Sequence, residues 1–549
     1  MPEHSTGDLG ASWWREGVLY QIYPRSFQDS NGDGIGDLRG ITSRLDHLGG
    51  RPDSLGVDGI WLSPFYPSPM ADFGYDVSDY CDVDPAYGTL ADFDELVREA
   101  HARGIRVIVD LVPNHTSDRH AWFQESRASR TSAKRDWYVW ADPKPDGSPP
   151  NNWTSAFTRR QESVWTFDDA TGQYYMHSFL PEQPDLNWWN PDVRAAFDGI
   201  LRFWLDRDVD GFRIDVAHRM ARDPELRDNP DFGLPPGEIV RFWTDEHPPR
   251  DQDWPEVHEI LRGFRRTIDA YDARMAIGEV FILDPARLVR YYGEHDDELH
   301  MAFNFSFLRA PWSADAFRRE VEIFERLLPA SAWPDYALSN HDNPRAISRY
   351  AVPGNRGRTE ARARLAGLML LTLRGTPFLY YGEEIGQPDG EIRADRVVDV
   401  ADRDPERTPM QWDGSASGGF TSGAAWLPVG SSAGTVNVAV QRDDPRSIFS
   451  FYRQLLRIRK SSPALRRGTY ATLPGLPDDV LGYVREADAD RQIVLLNFGE
   501  GDETIDLRRI APGHRVRLWT RPDDPPTAAP PSGLVLGPDE GLLIEASER

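Results

Sequence analysis

The chain has 549 residues, too many for one hydrophobic core, so two or three domains are expected. With 40% hydrophobic and 11% aromatic residues it is a globular chain and not a disordered one. A formal net charge of −26 argues against nucleic acid or an anionic membrane as partner, because phosphate binding needs clustered Lys and Arg.

The acidity favours solubility and leaves room for a pocket that takes an uncharged, hydroxyl-rich ligand. Cys81 is the only cysteine, so no intramolecular disulfide is expected. Met1–Gly10 is polar and lacks the pattern of a signal peptide. No run approaches the ~20 apolar residues of a membrane span, and a soluble, cytoplasmic protein is expected.

Short apolar, β-branched or aromatic runs recur along the chain at Val18–Phe27, Val57–Phe65, Ile105–Val112, Val209–Val216, Met275–Phe281, Met301–Phe307, Tyr336–Ser339 and Thr376–Tyr381. Helix-like segments such as Leu90–Arg103, Val193–Asp206 and Thr359–Leu373 lie between them. Several runs are almost continuously hydrophobic, as in parallel strands covered on both faces. The alternation predicts an α/β fold, a closed (β/α)8 TIM barrel, with a doubly wound open sheet as the alternative.

Two stretches depart from this rhythm. Residues 115–187 are too long for a loop and rich in Trp, Tyr, Asn and Pro, which predicts an inserted subdomain after strand three. After Ser461 the helical periodicity stops, and Leu481–Arg485, Gln492–Asn497, Val516–Trp519 and Gly541–Glu545 read as strands of a C-terminal antiparallel β domain. The expected division is barrel over 1–114 and 188–460, insert over 115–187 and β domain over 461–549. Arg521–Ser532 is Pro-rich and is expected as a surface loop of that β domain.

Barrels of this kind carry their chemistry at the C-terminal ends of the strands. Ionisable residues fall there: Asp110 with Asn114-His115, Arg213 with Asp215, Glu279, and Asn340-His341-Asp342-Asn343. Arg213 and Asp215 are two apart, so on a strand they share a face, and the cation is expected to keep the carboxylate ionised as a nucleophile must be. Glu279 follows a buried-looking run, where desolvation makes a carboxyl a proton donor. Two such carboxyls ~5 Å apart fit retaining glycoside hydrolysis, with Asp342 free to hold sugar hydroxyls and His115 and His341 to supply neutral hydrogen bonds. Separately, Asp29, Asn31, Asp33, the Ile35 carbonyl and Asp37 place oxygens on alternate positions around Gly34, like the first half of a Ca²⁺ loop without its closing Glu.

Asp110–His115 (DLVPNH), Gly211–Asp215 (GFRID), Gly278-Glu279-Val280 and Asn340–Asn343 (NHDN) resemble, in order, signature segments of the α-amylase superfamily, glycoside hydrolase family 13. The resemblance implies Asp215 as nucleophile, Glu279 as general acid/base, Asp342 as transition-state stabiliser, and Arg213, His115 and His341 around the non-reducing glucose. Gln183–Asn187 (QPDLN) and Asp72–Asp76 (DFGYD) are similar to segments of its oligo-1,6-glucosidase and α-glucosidase branch. That branch implies an exo-acting α-glucosidase for a small oligosaccharide. Asp72 would hold the terminal 4-hydroxyl with Arg407 of RTPMQW, or with Arg403 as the alternative. Tyr75 would stack on the sugar, Phe157 and Phe179 would stand near the aglycone, and the 29–37 loop would hold a structural Ca²⁺.

Val216 beside the nucleophile leans toward α-1,6 linkages in this branch, while Ala217-His218 depart from the usual 1,6-type continuation, so the linkage stays open. Oligo-1,6-glucosidase, trehalose synthase and transglycosylation remain alternatives. The nucleophile lacks the Ala-Val-Pro continuation of trehalose synthases, and Phe305–Pro311 (FSFLRAP) lacks the RLDRD-like motif of sucrose isomerases. A catalytically dead scaffold subunit is disfavoured because all three carboxylates are present.

Overall fold

The computed structural model describes residues 12–157, 162–231, 248–510, 515–521 and 533–546. The chain opens with β1 (Leu19–Ile22), β2 (Gly59–Leu62) and β3 (Arg106–Leu111), then β4 (Trp140–Ala141), β5 (Trp165–Asp168) and β6 (Gln173–Met176). There follow β7 (Gly211–Ile214), β8 (Met275–Gly278), β9 (Met301–Ala302), β10 (Asp335–Ala337) and β11 (Thr376–Tyr380).

One 8-stranded sheet has the order β10-β11-β1-β2-β3-β7-β8-β9, and all its pairs are parallel. The first barrel strand therefore pairs with the last, and the order is circular apart from one seam between β9 and β10. That is the nearly closed barrel; a doubly wound sheet would not bring β1 between β11 and β2.

Helices form where the sequence supplies both caps and an apolar stripe. Thr89 and Asp92 make a capping box for Leu90–Ala102. Asn190 and Pro191 start Pro191–Leu205. Val257, Ile260, Leu261, Phe264 and Ile268 bury one side of Glu256–Ile268.

The strands are shorter than the apolar runs predicted. The run Val18–Phe27 ends as strand at Ile22, because Pro24 begins a helical turn. The run Met301–Phe307 ends as strand at Ala302, because Asn304 caps the turn Phe305–Leu308 through the Phe307 amide.

Inside the barrel, Leu19, Trp61, Ile108, Ile277 and Phe378 pack with Met275, Met301 and Phe303 in one apolar cluster. Two residues further along β1 and β3, Gln21 and Asp110 are buried and share the faces of Leu19 and Ile108 through the two-residue repeat. An apolar plug thus lies under a polar layer at the C-terminal ends of the strands.

The stretch after β3 holds a 3-stranded antiparallel sheet, order β4-β6-β5, with its own small core of Trp153, Val164, Trp165 and Met176. Beyond Ser461 a short helix, Pro463–Arg467, interrupts the expected all-β region, since Ser462 caps it and Pro463 opens it. Then come β12 (Thr469–Thr472), β13 (Val480–Ala487), β14 (Asp490–Asn497), β15 (Glu503–Ile505), β16 (Arg515–Trp519), β17 (Leu534–Leu536) and β18 (Gly541–Glu545). They form a 5-stranded sheet, β12-β13-β14-β18-β16, and the pair β15-β17, all antiparallel.

The sequence reading missed the short strands β12, β15 and β17, which have few residues in which to show an alternating pattern. Helix Arg356–Thr372 packs against this sheet, close enough that a side chain at Gly541 would strike Leu365 and Leu368. The Pro-rich stretch expected as a loop falls, past Arg521, outside the described residues, as do Met1–Gly10. No described helix is long and apolar enough to cross a membrane.

Candidate active site

The polar layer is organised by Arg213 on β7. Its Nη1 donates to Asp110 Oδ1 at 2.7 Å and to Asp215 Oδ1 at 2.8 Å, and its Nη2 donates to Glu279 Oε2. The guanidinium lies over the Trp61 ring, 5.1 Å from its centroid. Asp215 and Glu279 are also tied through backbone: Asp215 N–H donates to Leu111, Glu279 N–H to Ile214 and Ala217 N–H to Glu279.

This arrangement corrects one expectation. Arg213 is not a private counter-ion for Asp215, since three carboxylates share it. Burial is the largest influence on Asp215 and raises its carboxyl well above the ordinary carboxylate range; Arg213 opposes that rise, and the charges of Glu279 and Asp110 reinforce it. Burial likewise pushes Asp110 up to about 6, against Arg213. One cation therefore serves three carboxylates, and the negative charges beside Asp215 disfavour its ionisation. Asp110 joins the cluster, a role the sequence reading did not assign although it placed Asp110 at the strand end.

Val216 adopts φ 35° and ψ 47°, a left-handed conformation that a β-branched residue rarely takes. It turns the Val216 amide toward Glu279 Oε2, 3.4 Å away. Strain of this kind costs on the order of 1–3 kcal/mol and persists only where the surroundings impose it.

Around Asp342 the geometry is different. Arg403 Nη1 and Arg407 Nη2 donate to its Oδ1 at 3.0 and 2.9 Å. Burial works to raise the Asp342 carboxyl, but the Arg403 and Arg407 guanidinium groups outweigh it and hold it well below the usual range. Burial keeps His341 neutral. The His341 ring stacks on Tyr75, with centroids 5.3 Å apart and planes within 5°, and its Nε2 lies 2.6 Å from the Tyr75 hydroxyl. Gln21 Nε2 approaches its other ring nitrogen at 2.8 Å.

Asp72 is paired with Arg403, whose Nη2 donates to Asp72 Oδ1 at 2.5 Å. The pairing with Arg407 expected from RTPMQW is not formed. Arg407 closes the turn Pro405–Arg407, is fully buried, and spends its Nε on the His341 carbonyl at 2.8 Å. Gln183 Nε2 donates to the other Asp72 oxygen at 3.0 Å and lies 3.1 Å from His115 Nε2. Gln183 was visible in the QPDLN segment but had no role assigned. His115 is buried and kept neutral by that burial.

The insert reaches the same place. Phe179 meets His115 edge-on at 5.2 Å and Phe157 at 5.0 Å, and Arg403 lies 4.8 Å from the Phe157 ring centre. Every residue expected around a sugar is therefore gathered within two linked clusters, one on Arg213 and one on Arg403. Asp215, Glu279 and Asp342 keep 7, 13 and 28% of their side-chain surface exposed, so all three are reachable from solvent.

The loop 29–37 lies apart. Both Asp29 oxygens accept from loop amides, those of Asn31, Gly32 and Gly34, and from the Thr421 hydroxyl. Asp33 accepts from Ile35 N–H, and Asp37 caps the next helix through Gly40 N–H. The donor atoms are all oxygen and suit a hard cation. Yet among the described residues no group of three or more His, Cys, Asp or Glu side chains converges as a metal site would.

Comparison with known proteins places this geometry. Residues 21–468 match the α-amylase catalytic domain. A probable α-glucosidase of Rhizobium meliloti (strain 1021) is 45% identical, covering 91% of this chain and 93% of the relative. An oligo-1,6-glucosidase of Parageobacillus thermoglucosidasius is 39% identical, covering 89% and 91%. The crystal structure of an α-glucosyl transfer enzyme superposes with a TM-score of 0.87 at 39% identity, covering 97% of this chain and 99% of that one. The chain belongs to the α-amylase family and is a glycoside hydrolase.

Proposed function

We propose that this family member is a retaining, exo-acting α-glucosidase that removes the terminal non-reducing glucose from short α-glucosides. The observation that carries the reading is Arg403 bridging Asp72 and Asp342, an ion-pair bridge that would close one end of a glucose pocket beside the Asp215–Glu279 pair. A pocket closed at the sugar's 4-hydroxyl admits a chain end and cannot thread a polymer.

Asp215 attacks the anomeric carbon while Glu279 gives its proton to the departing glycosidic oxygen. The aglycone leaves as an alcohol and glucose stays bonded to Asp215. Glu279, now ionised, takes a proton from water, which attacks the same carbon and frees Asp215. Arg213 holds both carboxylates on one side of the site. Double displacement uses two such carboxyls ~5 Å apart, one to attack and one to protonate. Asp342, held ionised by two arginines, faces the positive charge that develops on the sugar ring. Tyr75 and His115 then flank the ring, and Phe157 and Phe179 the aglycone side.

The names of the relatives support two neighbouring readings, α-1,6 preference and glucosyl transfer. Val216 against Ala217-His218 leaves the linkage open. A structural Ca²⁺ on Asp29, Asn31, Asp33, the Ile35 carbonyl and Asp37 is supported by oxygen spacing alone. The deciding test follows the first-formed glucose by NMR with p-nitrophenyl α-glucoside: the α-anomer is expected, and initial release of the β-anomer would refute double displacement. Maltose, isomaltose, sucrose, trehalose, kojibiose and nigerose, tried side by side, would give the linkage and separate hydrolysis from transfer.

A further inference from the structure

We infer that Trp426, far from the reacting bond, is a positioning residue for the closed end of the pocket, where the sugar's 4-hydroxyl is recognised; this rests on the glucosidase reading above. Three contacts of its side chain each end on the neighbour of a pocket residue. Its ring lies 5.5 Å from Phe73, which follows Asp72 in the chain. Its ring also lies 6.4 Å from Tyr23, which stacks on His341 at 6.1 Å and 19°. Its Nε1 donates at 3.1 Å to the Ser26 hydroxyl, which in turn donates to the Arg407 carbonyl.

Trp426, Tyr23, His341 and Tyr75 therefore form one run of rings leading from outside the pocket to the aromatic face beneath the sugar. The Phe73 contact is the more direct lever. Phe73 has φ 45°, left-handed for a bulky side chain, and closes the turn in which Tyr75 N–H donates to the Asp72 carbonyl. Such a backbone needs an external hold. The Phe73 ring has one in Trp426 and the Arg25 guanidinium, which form a triangle with it: Arg25 lies 5.7 Å from Phe73 and 4.7 Å from Trp426. Without the indole the turn relaxes and Asp72 leaves Arg403.

Trp426 is itself fixed. Its backbone N–H donates to the Gly34 carbonyl at 3.1 Å. The two backbones cross so closely that a side chain at Gly34 would strike Ala424, and one at Gly423 would strike Gly32.

The test compares p-nitrophenyl α-glucoside with its 4-deoxy analogue, which offers nothing to Asp72 or Arg403. Wild type should prefer the glucoside. Trp426→Ala should raise KM for the glucoside about tenfold or more, the worth of a hydrogen bond to a charged group, with kcat changed far less. The analogue's constants should hardly move, so the preference collapses. Trp426→Phe should restore most of it by supplying a ring. If Trp426→Ala does not fold, Trp426→Leu, which fills volume without stacking, takes the same test.

An equal loss on both substrates, or a preference kept by the Ala or Leu variant, overturns the proposal. Wild-type enzyme that ignores the 4-hydroxyl overturns instead the pocket reading on which it rests.

Discussion

Two buried sites of the barrel treat their carboxylates in opposite ways: the polar layer at the C-terminal ends of the strands, and the surroundings of Asp335. At the C-terminal ends of the strands, Asp110, Asp215, Glu279, Asp72 and Asp342 lie against Arg213, Arg403 or Arg407. At the other end Asp335, the first residue of β10, is fully buried and faces no cation; burial pushes its carboxyl up to about 8, opposed only by backbone amides such as that of Ala302. The difference lies in the neighbours and not in the end of the barrel, since Asp210, fully buried just before β7, receives Arg106 and Arg274 at 2.9 Å. A buried carboxylate without such a guanidinium keeps a proton instead.

The sharpest break in that contrast is Glu279→Gln. Turnover of glucosides with poor leaving groups should fall about 10²–10⁴-fold, the range of general acid–base catalysis, while the circular dichroism spectrum is unchanged. Wild-type turnover would remove Glu279 from the mechanism. The same variant sharpens the electrostatics, because the Glu279 charge raises the Asp215 pKa. With an activated aryl glucoside, the acidic limb of kcat/KM should move to lower pH, and a limb that stays in place means the two groups do not interact.

Next in size is Arg213→Leu, which leaves three carboxylates without their shared cation. A loss of about 3–5 kcal/mol in urea unfolding is expected, and an unchanged midpoint would mean that solvent already satisfies these groups.

Asp335→Asn should act in the opposite sense and depend on pH. The folded state holds a proton that the unfolded chain releases near 3.8. Asp335 therefore costs nothing below that pH and progressively more up to about 8. The Tm advantage of the Asn variant should grow between those limits and level off above; an equal advantage at pH 4 and pH 8.5 would show that burial does not govern the group.

The smallest effect is expected at the periphery. If Ca²⁺ holds the 29–37 loop, a chelator should lower Tm by a few degrees and added Ca²⁺ should restore it, with kcat barely altered. A Tm that ignores both leaves the amide-bonded loop as its resting form.

The barrel and its chemistry were legible for a physical reason. Parallel strands covered on both faces read as continuous apolar runs, and strand ends expose the polar residues that chemistry needs, so DLVPNH, GFRID, Glu279 and NHDN mark themselves in order. Strand ends were read too long wherever a local cap competed, at Pro24 and Asn304, because an apolar run does not show where the backbone turns. The three-carboxylate sharing of Arg213 was not legible, since the two-residue spacing of Arg213 and Asp215 suggests a pair.

What the sequence determined by itself is the order of strands and the identity of the residues at their ends, because both follow from local periodicity. Tertiary structure alone decided the partners. Arg403 and Arg407 stand four apart in an irregular segment, where spacing does not say which one faces the pocket. Only the turn at Pro405 sends Arg407 to His341 and leaves Arg403 for Asp72. Trp426 and Ser26 stand 400 residues apart and meet only once the barrel has closed, since contacts across such separations are set by the packing of the whole chain.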